Sequence, residues 1–107
     1  MERPDSGVTE GNLDMREKEI EAALVMAVKD RGGLAPKLIS PGFDGMPDRL
    51  VLLPDGKSAF VELKAPGKKP RAIQFRRIRE LVGLGYGVFV IDSMEMIQEV
   101  LDAIQTT

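Results

Sequence analysis

Residues 47–64, Pro47-Asp-Arg-Leu-Val-Leu-Leu-Pro-Asp-Gly-Lys-Ser-Ala-Phe-Val-Glu-Leu-Lys64, decide how this chain folds. Two β-branched and aliphatic runs flank Pro54-Asp55-Gly56-Lys57, a set of turn formers that predicts a β-hairpin. A turn centred on Asp55-Gly56 pairs positions whose numbers sum to about 111, which sets Glu62 nearly opposite Arg49 and beside Asp48. Neighbouring strands lie roughly 4.8 Å apart, so both carboxylates can reach one cation. Side chains alternate along a strand, so Glu62 and Lys64 share one face while Val61 and Leu63 point to the other. Two carboxylates and an ammonium at one end of a sheet suit a divalent cation and a phosphate.

The composition narrows the chemistry further. With 107 residues, 43% of them hydrophobic, the chain is expected to form one domain with a modest core. It contains no cysteine, which excludes disulfides, thiolate metal sites and a cysteine nucleophile. It contains no histidine, which removes the usual general base and nearly every zinc site. Tryptophan is absent and aromatics make up 5%, so base stacking has few platforms. Any metal must then be held by oxygens, a donor set that favours Mg²⁺ or Mn²⁺. No apolar run approaches a membrane span and the first residues lack a signal-like core, so a soluble, cytoplasmic protein without a membrane partner is expected.

Net charge is −2 and the pI about 5.2, which alone argues against a nucleic-acid partner. The distribution argues for one. From Lys64 to Arg79 there are seven basic residues (Lys64, Lys68, Lys69, Arg71, Arg76, Arg77, Arg79) and no acidic one. A basic segment directly after a metal-binding strand reads as a phosphate track. The plainer alternative is a solvated helix face.

Residues 1–13 are rich in Gly, Pro, Ser and charge and read as a disordered leader, with the domain proper at 15–107. Asp14 is expected to cap a helix, with Glu17 completing a box-like arrangement and Ile20, Ala23, Leu24, Ala27 and Val28 on its buried stripe. Gly32-Gly33 end that helix near Arg31. A strand over Leu34–Ile39 precedes the hairpin, whose strands fall near Arg49–Leu53 and Ala59–Lys64. A helix opened by Pro70 and lasting to about Leu84 leads to a strand at Val88–Ile91. Ser93 then caps a last helix that buries Ile97, Val100, Leu101 and Ile104. The order α-β-β-β-α-β-α predicts an α/β fold, a mixed central sheet flanked by helices. Two further side chains attract notice: Glu21 borders the first apolar stripe, where an acid needs a partner, and Gln74 shares a helical face with Ile78 and Leu81.

Several of these segments occur together in one family. Glu21 in Glu-Ile-Glu-Ala-Ala-Leu, Lys37-x3-Pro-Gly, Gly45-Met-Pro-Asp-Arg49, Phe60-Val-Glu-Leu-Lys-Ala-Pro-Gly67 and Gln74 followed by Arg77 resemble the virus-type replication–repair nuclease (VRR-NUC) domain, a branch of the PD-(D/E)XK superfamily. The resemblance implies a restriction-endonuclease-like core and a Mg²⁺- or Mn²⁺-dependent nuclease. It implies that Asp48, Glu62 and the Leu63 carbonyl ligate the metal, with Glu21 reaching it directly or through water. Lys64 would orient the attacking water or neutralise the phosphorane, its role as base being open, and Gln74 would orient Lys64 or the water. Lys37 matches a family position too. Lys37, Lys68, Lys69, Arg71, Arg76 and Arg77 become candidates for DNA backbone contacts. A homodimer acting on branched DNA such as a four-way junction is also implied, in a bacterial or phage-infected cytoplasm. A non-cleaving DNA-binding module or an assembly protein of the same fold is the alternative.

Overall fold

The computed structural model describes residues 10–107, with side chains from Met15 onward. Its elements are α1 (Glu10–Asp30), β1 (Arg49–Leu53), β2 (Lys57–Leu63), α2 (Ala72–Gly83), β3 (Val88–Ile91) and α3 (Met96–Gln105). Three strands form a mixed sheet in the order β1-β2-β3, antiparallel between β1 and β2 and parallel between β2 and β3. The parallel pair needs a crossover, which α2 supplies. Among the described residues no helix is long and apolar enough to cross a membrane.

The hairpin is one residue longer in its loop than the sequence suggests. Pro54–Gly56 form a single 3₁₀ turn in which Asp55 takes φ 66° and Gly56 φ 72°. Glycine meets no steric objection there, and aspartate is one of the few other residues that enters this region. Arg49 therefore pairs with Val61, so paired numbers sum to 110 rather than 111. The shift brings Glu62 level with Asp48.

The strand expected over Leu34–Ile39 is reduced to two isolated bridges, Leu34 with Leu52 and Lys37 with Arg49. Leu34 and Leu52 exchange hydrogen bonds of 2.9 and 2.8 Å, and the Leu50 N–H donates to the Pro36 carbonyl at 3.1 Å. Pro36 has no N–H to return, so the ladder breaks at its centre.

Helix α1 starts at Glu10, so Asp14 and Glu17 stand inside it rather than at its cap. The rest of the expected leader lies outside the described residues. α3, by contrast, begins later than its expected cap: Met96 is its first residue, and Ser93 contributes a backbone carbonyl that accepts the Met96 N–H at 3.3 Å.

The two sheet faces differ. Val51, Leu53, Val61 and Leu63 are buried against Ile20, Leu24 and Val28 of α1 and Ile97, Val100, Leu101 and Ile104 of α3. Arg31, just past the end of α1, fastens it along α3, donating to Gln98 Oε1 at 2.6 Å and pairing with Asp102 at 2.9 Å. The opposite face carries Leu50, Leu52, Phe60, Val88 and Val90, all only half-buried, and α2 covers it in part.

Candidate active site

The site begins where the β1–β2 ladder ends. Phe60 and Lys64 donate their N–H groups to Gly87 and Ile91 on the β3 side, so Val61 and Leu63 direct theirs toward β1. Extending the register places Pro47 opposite Leu63, and proline brings no N–H. The Asp48 side chain takes over: its Oδ2 accepts the Leu63 N–H at 2.9 Å. A carboxylate is thereby fixed against β2 beside Glu62, while the Leu63 carbonyl receives no ladder donor from position 47.

Glu62 is 1% exposed. Its Oε2 accepts from Gln74 Nε2 at 2.7 Å and from Lys64 Nζ at 3.0 Å. Its Oε1 is buried without a partner among the described residues. Burial pushes the Glu62 carboxyl up to about 7, and the charges of Asp48 and, more weakly, Glu17 push the same way, while Lys64 opposes them. An acceptor oxygen shut away from water at this cost is expected to have a purpose. Gln74, 7% exposed, is held at both ends, because its Oε1 also accepts the Arg71 N–H at 2.7 Å and so caps α2. Lys64 is the open side of the cluster, with 16% of its side chain exposed.

Comparison with known proteins places this geometry. A solved structure described as "VRR_NUC domain" superposes with a TM-score of 0.76 at 32% identity, covering 81% of this chain and 95% of that one. "Putative nuclease p44" of Acyrthosiphon pisum secondary endosymbiont phage 1 is 51% identical over 82 residues, 77% of this chain and 88% of the relative. This chain belongs to the VRR-NUC family. It is a nuclease domain, although no family model matches it.

Within this VRR-NUC domain, Asp48, Glu62, Lys64 and Gln74 come together, and Glu21 does not join them. Its Oε2 accepts from Arg49 Nε at 3.2 Å and Arg49 Nη2 at 2.9 Å, and Arg49 also donates to the Ala35 carbonyl at 2.7 Å. Arg49 shares the Val61 face of the hairpin, so it draws Glu21 to the α1 side of the sheet. The α1 acid whose charge Glu62 senses is Glu17, one helical turn earlier. Among the described residues no three carboxylates stand close enough to hold one metal. The donors at hand are two carboxylates and a carbonyl.

The basic residues divide as well. Lys37, Lys68, Lys69 and Arg71 are exposed. Arg76 is exposed too, 3.7 Å from Glu80. Arg77 is not a free cation. Its guanidinium lies 3.9 Å from the centre of the Phe43 ring and donates to Glu80 Oε1 at 3.0 Å. It fastens the loop that enters β1 onto α2. Gly45 completes this seam, because a Cβ there would fall 2.7 Å from the Ile73 carbonyl oxygen. Gly45, between Phe43 and Pro47, and Arg77 are the traces of this contact in the sequence.

Proposed function

We propose that this VRR-NUC domain hydrolyses phosphodiester bonds of DNA with a divalent cation, Mg²⁺ or Mn²⁺, and acts selectively on branched DNA. The observation that carries the reading is the partnerless, buried Oε1 of Glu62 next to Asp48. A carboxylate so placed is costly to ionise until a cation completes its surroundings. Asp48, Glu62 and the Leu63 carbonyl would hold that cation, an all-oxygen set suited to hard ions. When bound, it supplies positive charge to the scissile phosphate and acidifies a water.

The chain's own groups do the rest. Lys64 hydrogen-bonds Glu62 Oε2 and keeps its ammonium at the open side, where it can meet a phosphate oxygen or orient the water. Gln74 holds Glu62 Oε2 from the α2 side, which leaves Oε1 to face the ligand. Lys68, Lys69 and Arg71 follow the catalytic strand and bind phosphates without reading sequence, joined from other elements by Lys37 and Arg76. Symmetrical cutting of a four-way junction requires two sites, so the working form in this reading is a homodimer in the host cytoplasm. A native mass equal to one chain would contradict the dimer.

The test is cleavage of labelled four-way, flap and linear duplex DNA in Mg²⁺ or Mn²⁺. Wild type should cut branched forms fastest and lose activity in EDTA. Asp48→Asn and Lys64→Ala should each slow cutting by roughly 10²- to 10⁴-fold. DNA binding without turnover in either metal would leave a non-cleaving binding module instead.

A further inference from the structure

Two turns of the same geometry stand at the catalytic end of the sheet, since one enters β1 and the other leaves its antiparallel partner β2. In Ser40-Pro41-Gly42-Phe43 the Phe43 N–H donates to the Ser40 carbonyl at 3.1 Å and Gly42 has φ 77°. In Ala65-Pro66-Gly67-Lys68 the Lys68 N–H donates to the Ala65 carbonyl at 2.9 Å and Gly67 has φ 80°. Pro at the second position and a positive-φ Gly at the third are the marks of a type II turn. The turns carry opposite chemistry. The second presents Lys68 and Lys69. The first presents Ile39, 76% exposed, and Phe43, 50% exposed.

Single exposed apolar side chains are ordinary on a protein surface. These two differ in flanking a turn that is tied to Asp48 on one side and to α2 on the other. The Leu38 N–H donates to the Asp48 carbonyl at 2.7 Å, Phe43 rests against the Arg77 guanidinium at 3.9 Å, and Gly45 seats the loop on α2. Lys37 supplies positive charge next to the apolar pair, since Arg77 is already paired with Glu80, against one acid in the turn, Asp44. A rigid apolar edge bordered by cations suits a nucleic acid whose bases are unstacked better than a smooth duplex.

Resting on the nuclease reading above, we propose that Ile39 and Phe43 form a wedge that enters DNA at a branch point and stacks against the bases exposed there, while the Lys68–Lys69 turn holds the backbone on the other side of the site. Prying apart a base step is costly in continuous duplex and least so where stacking is already interrupted. The wedge therefore makes the enzyme prefer junctions and flaps without reading sequence.

The experiment places 2-aminopurine at the branch of a flap and titrates protein in EDTA, where no cutting interferes. Wild type should raise the fluorescence about two-fold or more as the probe unstacks. Ile39→Asn should abolish the rise, and Ile39→Leu should restore it. Because Ile39 is exposed, neither variant should disturb folding. In Mg²⁺ or Mn²⁺, Ile39→Asn should lower flap cutting about ten-fold relative to single-stranded DNA of the same sequence. A wild-type titration without fluorescence change overturns the wedge, as does an Ile39→Asn protein with full branch preference. A loss of dimer mass in Ile39→Asn with the fluorescence rise retained makes this edge a subunit contact and also overturns it. If wild type unstacks the probe yet cuts no DNA in either metal, the wedge stands and the proposed activity falls.

Discussion

On the face covered by α1 and α3, Val51, Val61 and Leu63 are sealed among hydrocarbon side chains, whereas on the α2 face Glu62, between two of them in sequence, is sealed with a carboxylate oxygen that no described residue satisfies. Adjacent positions of one strand are equally buried for opposite reasons. Val61 and Leu63 hold the fold. Glu62 strains it, and Gln74 and Lys64 offset only part of the cost of its burial. The contrast explains why α2 covers its face loosely: the site needs an open side, and the stability comes from the other face.

Substitutions on β2 and on α2 test that contrast. Leu63→Ala should cost about 2–5 kcal/mol, read as a lower urea midpoint at unchanged m-value. Glu62→Gln should do the reverse in metal-free protein, gaining about 3 kcal/mol at pH 8. The sign follows from a carboxyl raised from 4.5 to about 7 in the fold. The folded state holds the proton more tightly, so wild type is favoured below pH ~4.5 and loses that contribution as pH climbs through ~7. The advantage of Glu62→Gln should thus vanish near pH 4; an equal gain at pH 4 and pH 8 would mean packing, not charge, is responsible. Gln74→Ala should cost about 1–2 kcal/mol, because it strips the cap of α2 and one donor from Glu62. Arg76→Ala should stay within about 0.5 kcal/mol, yet flatten the salt dependence of DNA binding by about one phosphate contact.

What could be read from the sequence tracks the α1–α3 face. Ile97, Val100, Leu101 and Ile104 repeat at helical spacing, and the hairpin runs are bounded by strong turn formers, so local pattern sufficed for both. The order of the helices and of the three sheet strands was legible for the same reason. Local pattern failed where one residue decides an outcome across space. Pro36 stops a strand whose flanking residues favour one. Asp55 accepts a left-handed conformation and lengthens the turn, which sets Glu62 level with Asp48. Glu17 and Glu21 lie one turn apart on one helix, and only the position of Arg49 on the neighbouring strand separates them. Arg77 reads as one more cation in a basic run until the Phe43 ring is found beneath it.

The most direct test of Glu62 as a cation ligand is calorimetric titration of Mn²⁺ into DNA-free protein at pH 6.5, in two buffers of different ionisation heat. Saturable binding with proton release is expected, since a carboxyl near 7 must ionise to ligate, and both should be lost in Glu62→Gln. Binding of equal strength in wild type and Glu62→Gln, or binding without a released proton, would contradict it.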